Sequence, residues 1–341
     1  MTRAAIWLLA AGILLFAGVI LSQGLTAVFA TLALAGWGLM LVALVHLLPL
    51  VLDAGSIRVL FDGRLVRGSM REALLARWAG ESANSFLPAG PISGPVVMAR
   101  HLSHRGMPMQ EAAAIITVST TLQTLAQVAF AMTGIAVLGA EASHVMQRSV
   151  LRPLLIASGV IALCLAGFYF MQRRGLFGKL MQATSRLSGR GDWSQLMSQA
   201  QAIDLAVREA YGRRTRAAAS FGLSLIGWVV GTAEVYLILY LLGAPVDWGK
   251  ALLLESLGQA IRSAGFAVPG SLGVQEGGYL LLAPLAGLPP NTAVALSLAK
   301  RAREILLGLP GLLYVHLSER RWRRSVARVA ALDQAGAIHR V

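Results

Sequence analysis

The chain has 341 residues, of which 56% are hydrophobic and only 13% charged, and its mean hydropathy is +0.65. Soluble globular domains carry about 25% charged residues, so this composition argues against a very apolar soluble helical domain and predicts a polytopic membrane protein. The net charge of +14 comes almost wholly from arginine. In a membrane protein this excess of arginine indicates cytoplasmic loops and contact with anionic lipid headgroups rather than nucleic-acid binding.

Several apolar runs are long enough to cross a bilayer, which takes about 20 residues in a helix. We expect the first to be a retained span, because a second apolar run follows it at once. Full spans are predicted near residues 4–22, 26–50, 111–139, 153–171, 218–242 and 292–316. Two more apolar regions, 82–98 and 251–285, are interrupted by Pro and Gly. The expected fold is all-α, a single membrane domain over residues 1–341 with halves 1–150 and 151–320.

Arginine predicts the orientation of these spans. Loop 53–80 has five Arg, loop 172–217 has nine Lys or Arg against three acids, and the tail 317–341 has six Arg. Placing all three in the cytoplasm puts both termini there and requires an even number of crossings. Each interrupted region must then return to the side from which it started, either as a re-entrant hairpin or as two short full spans.

The loop 172–217 also contains a helical pattern of apolar residues. The pattern consists of Trp193, Leu196, Met197, Ala200, Ile203 and Val207. It predicts an amphipathic helix at the inner membrane interface, flanked by arginines. The alternative is a short helix that packs on the membrane domain.

The two interrupted regions resemble each other. Each has a Glu-Ser pair, Glu81-Ser82 and Glu255-Ser256, followed by Pro and a glycine-rich turn. Pro88 precedes Gly106 by 18 residues, and Pro269 precedes Gly287 by 18 as well. The first copy starts from the cytoplasm and the second from outside, which predicts inverted repeats. In transporters, the broken helices of such repeats meet near the midplane and form the substrate site.

Charged residues in apolar segments are costly and are therefore functional candidates. An arginine fork suits a lipid phosphate, and the glycine-rich breaks expose N–H groups that attract anions. The alternative is that these charges only pair with one another and lock the bundle. The candidate transport and substrate-binding residues are Glu81, Asn84, Pro88, Gly90, Arg100, Glu255, Arg262, Pro269, Gly270, Gly273, Glu276, Gly277, Arg301 and Glu304. No histidine or cysteine pair has metal-ligand spacing, and we expect no metal, no cofactor and no enzymatic activity.

Two motifs resemble the membrane domain of the lysylphosphatidylglycerol synthase/flippase superfamily. One is N-x-x-L-P-x-G, at Asn84, Leu87, Pro88 and Gly90; the other is P-G-x-x-G-x-x-E-G, from Pro269 to Gly277, with Arg301 downstream. The resemblance covers residues 5 to 320, and within the superfamily the chain looks like the branch associated with hopanoid biosynthesis. It implies a bacterial inner-membrane protein that moves lipid between leaflets. The first motif departs from the family, because Pro91 and Ser93 replace a double glycine. The family's soluble aminoacyl-transferase domain is absent, so synthesis of lysyl-lipid is not expected.

The favoured hypothesis is a lipid translocase for an anionic phospholipid or a hopanoid. Arg262 and Arg301 would grip the headgroup, and Glu81, Glu255 and Glu276 would balance those charges or shuttle protons. The alternative is a membrane scaffold that holds lipid-biosynthesis enzymes and transports nothing. A third possibility, a lipid-modifying enzyme, lacks a recognisable nucleophile or metal site.

Overall fold

The computed structural model describes residues 25–61, 70–87, 92–141, 152–188, 194–266 and 268–338, with a few isolated positions before residue 25. In these ranges every regular element is a helix and none is a strand. We number the helices α1 Leu25–Ala35, α2 Gly38–Leu60, α3 Met70–Phe86, α4 Ser93–His104, α5 Met109–Glu141, α6 Arg152–Arg173, α7 Leu176–Ser188, α8 Ser194–Gly212, α9 Arg214–Leu241, α10 Trp248–Ala264, α11 Val274–Ala286 and α12 Pro290–Ile338. Most of the predicted first span lies outside the described residues.

Among the described residues, three helices are long and apolar enough to cross a membrane. They are α2, α5 over Met109–Gly139, and α9. The predicted spans 111–139 and 218–242 agree with α5 and α9 to within about one helical turn. A multi-pass helical membrane protein is therefore supported, whereas the full set of six spans stays a prediction.

The predicted span 26–50 is divided between two helices. Gly36 has a φ of 45°, a left-handed conformation that ends α1, and α2 begins two residues later. Helix α2 then continues to Leu60, so Asp53 and Arg58, which the sequence places in a loop, lie in a helix. The shift brings Asp53 into the interior of the bundle.

Each interrupted region consists of two helices that pack against each other. In the first region these are α3 and α4, and in the second α10 and α11. A 17-residue helix, a shorter helix and a long helix follow in the same order in both regions. Gly106 and Gly287, which the sequence aligns, both have positive φ, 98° and 69°, at the turn before the long helix. This common order is consistent with a repeat; the repeat and its inversion across the membrane stay predictions.

Each interrupted region also packs against a long helix of the other half. Helix α3 packs on α12 of the second half, and α10 packs on α5 of the first. Each Glu-Ser pair lies at such a contact. A methyl group placed on Gly311 would lie 2.0 Å from the Ser82 hydroxyl oxygen, and one on Gly134 would lie 1.8 Å from that of Ser256. Glycine lets the paired backbones approach closely in both places.

Filling one of these contacts is expected to destabilise the bundle. In Gly134→Ala the new methyl group overlaps the Ser256 side chain, and we expect the free energy of unfolding to fall by about 1–3 kcal/mol. Gly222→Ala, on α9, is the control: no atom lies within 4 Å of its added methyl group, and the protein should gain about 0.5–1 kcal/mol in helix propensity. Unfolding in detergent micelles measures both. Equal stability of the two variants would contradict the close packing of α5 on α10.

The segment between the halves contains α7 and α8. In α8, Ala200, Val207 and Tyr211 are buried, and the helix packs against α5. Asp204 accepts hydrogen bonds from the backbone N–H groups of Phe177 and Gly178 at the start of α7, at 3.0 and 2.7 Å. Part of the predicted amphipathic face is therefore covered by protein, while Leu196 stays exposed.

Candidate functional site: a charged cavity between the two halves

A cavity of about 430 Å³ lies inside the bundle, lined by side chains of both halves. Helices α2, α3, α4 and α5 contribute from the first half, and α9, α10, α12 and the second break contribute from the second. Its ionisable lining residues are His46, Asp53, Arg77, Glu81, Glu234, Glu255, Arg262, Arg303 and Glu304. Five carboxylates therefore face three guanidinium groups and one histidine. With a neutral histidine the formal charge of this lining is −2.

The central cluster of the cavity joins α2, α3, α9 and α12. His46 Nδ1 lies 2.8 Å from a Glu234 oxygen, and its Nε2 lies 2.9 Å from a Glu81 oxygen. Arg303 donates to Glu234 at 3.1 Å and lies 3.5 Å from Glu81. Each half of the chain supplies two of these four side chains. Because Glu234 and Arg303 are almost fully buried, neither is stable there without its partners.

Two further charge pairs flank this cluster. On the side of α3, Arg77 pairs with Asp53 at 2.8 Å, and the Gln123 amide donates to the same carboxylate at 2.6 Å. On the side of α10, Lys300 pairs with Glu255, which also accepts a hydrogen bond from Gln259 at 2.9 Å. Lys300 lies behind Glu255, away from the cavity lining. The cavity wall is therefore stabilised by ion pairs that continue into the bundle.

The second break is held by an arginine and a glutamate. Pro269–Ser271 forms one 3-10 turn, and Gly270 and Gly273 have φ values of 63° and 76°. Arg301 donates to the carbonyl oxygens of Gly270 at 2.6 Å and Ser271 at 3.1 Å, and to Glu276 at 3.0 Å. Glu276, with no exposed surface, accepts the Gly273 N–H at 2.7 Å and so caps α11. These contacts satisfy the backbone where the helix is interrupted.

The first break is tied by Asn84. Its Oδ1 accepts the backbone N–H of Gly94, at 2.7 Å, in the first turn of α4. The side chain thus joins the end of α3 to the start of α4 across the break. Pro88 and Gly90, which the sequence also predicts as site residues, lie outside the described residues.

Removing the hydrogen bond from Gly94 N–H to the Asn84 side chain, which caps the start of α4, is expected to loosen the first break. We expect Asn84→Ala to lower the free energy of unfolding by about 1 kcal/mol, the usual cost of losing a side-chain acceptor at a helix N-terminus. Asn84→Asp keeps an acceptor oxygen and should retain most of the stability. Unfolding in detergent micelles compares the two variants. An alanine variant as stable as the unsubstituted protein would show that the cap is dispensable.

The structure brings some of the predicted residues into the cavity and leaves others out. Those that line it are Glu81, Asn84, Glu255, Arg262, Gly270 and Glu304. Gly273, Glu276, Gly277 and Arg301 are not among the lining residues; the glutamate and arginine lie behind the second break. Arg100 is farther away, in an exposed pair with Glu319 at 3.0 Å. Arg262 lines the cavity, but its guanidinium is paired with Glu304.

The candidate residues chosen from the sequence leave out six members of the charged cluster and its flanking pairs. These are His46, Asp53, Arg77, Glu234, Lys300 and Arg303. His46 and Asp53 are seven residues apart, which places them on one face of α2. This seven-residue spacing is the sequence signal from which His46 and Asp53 could have been identified. The sequence places Arg77 in a loop with other arginines, and Lys300 directly precedes the candidate Arg301.

One known family matches most of the chain. The family described as "Lysylphosphatidylglycerol synthase TM region" matches residues 8–311, nearly the whole chain. The chain belongs to this family. No curated protein and no solved structure gives a significant match. Membership in the lysylphosphatidylglycerol synthase TM-region family indicates a membrane function related to lipid, and the charged cavity lies inside the matched region.

Proposed function

We propose that the protein is a lipid translocase that moves a polar headgroup between leaflets through the cavity. The observation that carries the proposal is the cavity itself, with its ionisable lining supplied by both halves of the chain. Charged groups in membrane segments are expensive, face the interior of the bundle, and mark the paths of polar substrates. A bundle that served only as a scaffold has no need of such a lining.

The size of the cavity and its opening fit a headgroup rather than a whole lipid. A volume of about 430 Å³ falls within the range of small-molecule sites, about 300–1,000 Å³. Phe266, beside the second break, lines the cavity and is 64% exposed. In our proposal this side chain marks the edge where the apolar tail stays in lipid while the headgroup is inside.

Arg262 is the group that we propose for the first contact with a lipid phosphate. It lines the cavity, and its side chain is 23% exposed despite the pair with Glu304. A phosphate can replace that carboxylate as the acceptor of the arginine fork. Arg301, by contrast, supports the break. The substrates to be tested are an anionic phospholipid and a hopanoid-type lipid, and the site of action that we propose is the bacterial inner membrane with both termini cytoplasmic.

The broken regions are proposed to move relative to each other as re-entrant hairpins. Each would open the cavity to one side of the membrane, as in transporters built from inverted repeats. The crossed packing of α3 on α12 and α10 on α5 supports this proposal, because motion of one hairpin then displaces the long helix of the other half.

Exchange of labelled lipid in proteoliposomes tests the proposal. Purified protein should equilibrate headgroup-labelled phosphatidylglycerol or a labelled hopanoid between leaflets faster than protein-free vesicles. Rates equal to those of empty vesicles with every lipid tested would overturn the proposal. New lipid products after incubation with pure lipids would indicate an enzyme instead.

Two arginine variants distinguish the translocase from the scaffold. Arg262→Ala should slow exchange in the translocase. Arg100→Ala is the matched control, since Arg100 also pairs with a glutamate of α12 but lies outside the cavity lining. The scaffold instead predicts that Arg262→Ala has no effect in cells, whereas changes in residues 172–217 abolish function.

A further inference from the structure

Two carboxylates flank one histidine at the centre of the cavity. We call Glu81, His46 and Glu234 the carboxylate–histidine triad. Both ring nitrogens of His46 lie within hydrogen-bond distance of a carboxylate oxygen, at 2.8 and 2.9 Å. A carboxylate only accepts hydrogen bonds, and a neutral imidazole has one N–H. Hydrogen bonds in both contacts need two protons, so this arrangement can hold one proton more than a neutral imidazole carries, on the imidazole or on one of the two carboxylates.

Arg303 distinguishes the two carboxylates. It contacts Glu234 through two guanidinium nitrogens, both at 3.1 Å, and Glu81 through one at 3.5 Å. Its Nη1 also lies 3.2 Å from His46 Nε2, the nitrogen that faces Glu81. The Glu234 side chain is 3% exposed and that of Glu81 is 29% exposed. Glu234 is therefore the fixed partner, and Glu81 is the one that can turn away.

The charge balance of the cluster depends on the extra proton. If the extra proton is on His46, the two carboxylates are balanced by Arg303 and the imidazolium. If it is on a carboxylate, the other carboxylate is balanced by Arg303. The net charge of the triad and Arg303 is zero in both cases. Without it, a net negative charge stays in a low-dielectric interior, where an unmatched charge is costly. Loss of the proton therefore breaks one of the two contacts of His46.

Among the described residues around the triad, Arg303 offers the alternative donor for His46 Nε2 once the proton has left, and the other nearby cations are matched by carboxylates of their own. Four helices pack closely on α2, namely α9, α3, α12 and α5. On α2 and these four helices, the ionisable groups in and around the triad, besides His46, are Asp53, Arg77, Glu81, Glu234, Lys300 and Arg303. Helix α5 contributes the uncharged Gln123. Arg77 is matched by Asp53, and Lys300 by Glu255.

We propose that the carboxylate–histidine triad is a proton-binding site whose occupancy is coupled to lipid movement. Binding one proton from water closes Glu81 onto His46 and joins α3 to α2 and α9. Returning that proton to water on the other side releases Glu81, and with it the α3 side of the first break, three residues from the Asn84 cap. One proton enters and leaves in each cycle, and no covalent bond changes. This inference rests on the proposed translocase.

A pH gradient across proteoliposomes tests the coupling. With the membrane potential clamped, a difference of one pH unit should bias labelled lipid toward one leaflet by up to about tenfold if one proton moves with each lipid. A protonophore should abolish the bias. In His46→Gln and Glu81→Gln the bias should disappear. Glu81→Gln retains the size of the side chain and can still donate to His46, which keeps the variant folded for comparison. The control is His316→Gln, which changes an exposed histidine away from the cavity lining and should leave the bias unchanged.

The outcomes separate the two proposals. Lipid exchange by the unsubstituted protein that ignores the pH gradient would overturn the proton site and leave the translocase standing. A bias that persists in both His46→Gln and Glu81→Gln would place the coupling proton elsewhere and also overturn the proposed site. No lipid exchange at all would overturn the translocase, and the coupling with it. Unfolding curves and gel filtration of each variant identify a loss that is due only to misfolding.

Discussion

Replacing Lys300 with Met is expected to lower the free energy of unfolding by about 3–5 kcal/mol. Lys300 is 1% exposed and pairs with Glu255, which is also buried. Methionine has a similar length but carries no charge, so the carboxylate stays in the interior without its counterion. The remaining hydrogen bonds, from Gln259 and Tyr279, do not neutralise it. Chemical unfolding in detergent micelles, followed by tryptophan fluorescence, measures the loss.

A double variant identifies the origin of this effect. Lys300→Met combined with Glu255→Gln removes both charges and keeps both side-chain volumes. Most of the lost stability should return, because a buried ion pair replaced as a unit is often neutral. If the single variant is as stable as the unsubstituted protein, or the double variant is no better than the single, the pair is not the source of stability that we describe.

Filling part of the cavity without removing a charged group is expected to slow lipid exchange. In Gly231→Leu, on α9, the new side chain starts 3.9 Å from a Glu255 oxygen and extends into the cavity. We expect exchange to fall by about ten- to a hundredfold, since overfilling a site costs about 1–3 kcal/mol and each ~1.4 kcal/mol is a factor of ten in rate. The rate is measured in proteoliposomes.

Gly222→Leu provides the matched control for this variant. It makes the same substitution on the same helix, at a position where no atom lies within 4 Å of the added carbon and which is not among the cavity-lining residues. Exchange by this variant should equal that of the unsubstituted protein. Equal inhibition by both substitutions would attribute the effect to α9 itself rather than to the cavity.

Much of the helical framework was predictable from the sequence. The apolar runs of α5 and α9 are long and uninterrupted, so their positions follow from hydropathy alone. The breaks were marked by Pro and Gly, and the positive φ of Gly270 and Gly273 shows why glycine is needed there. The sequence does not predict the turn at Gly36, because glycines inside an apolar run, here Gly36 and Gly38, do not by themselves distinguish a turn from a continuous helix.

The site was less predictable, because ion pairs join residues that are distant in the chain. Glu81 and Glu255 were chosen from the repeated Glu-Ser pair, and both line the cavity. Nothing in the sequence connects His46 to Glu234, 188 residues away, or Glu276 to Arg301 rather than to substrate. Charge in an apolar segment indicates that a partner exists; only the packing of the helices shows which one.

The central claim, that a headgroup passes through the cavity, is tested most directly by photo-crosslinking. A phospholipid with a photoreactive group on its headgroup is reconstituted with the protein, illuminated, and the labelled residues are found by mass spectrometry. The account predicts labels on cavity residues such as Ser85, Gln259 and Ser263, reduced in Gly231→Leu. Labels restricted to exposed apolar positions such as Leu281 and Leu313, while lipid exchange proceeds, would contradict it.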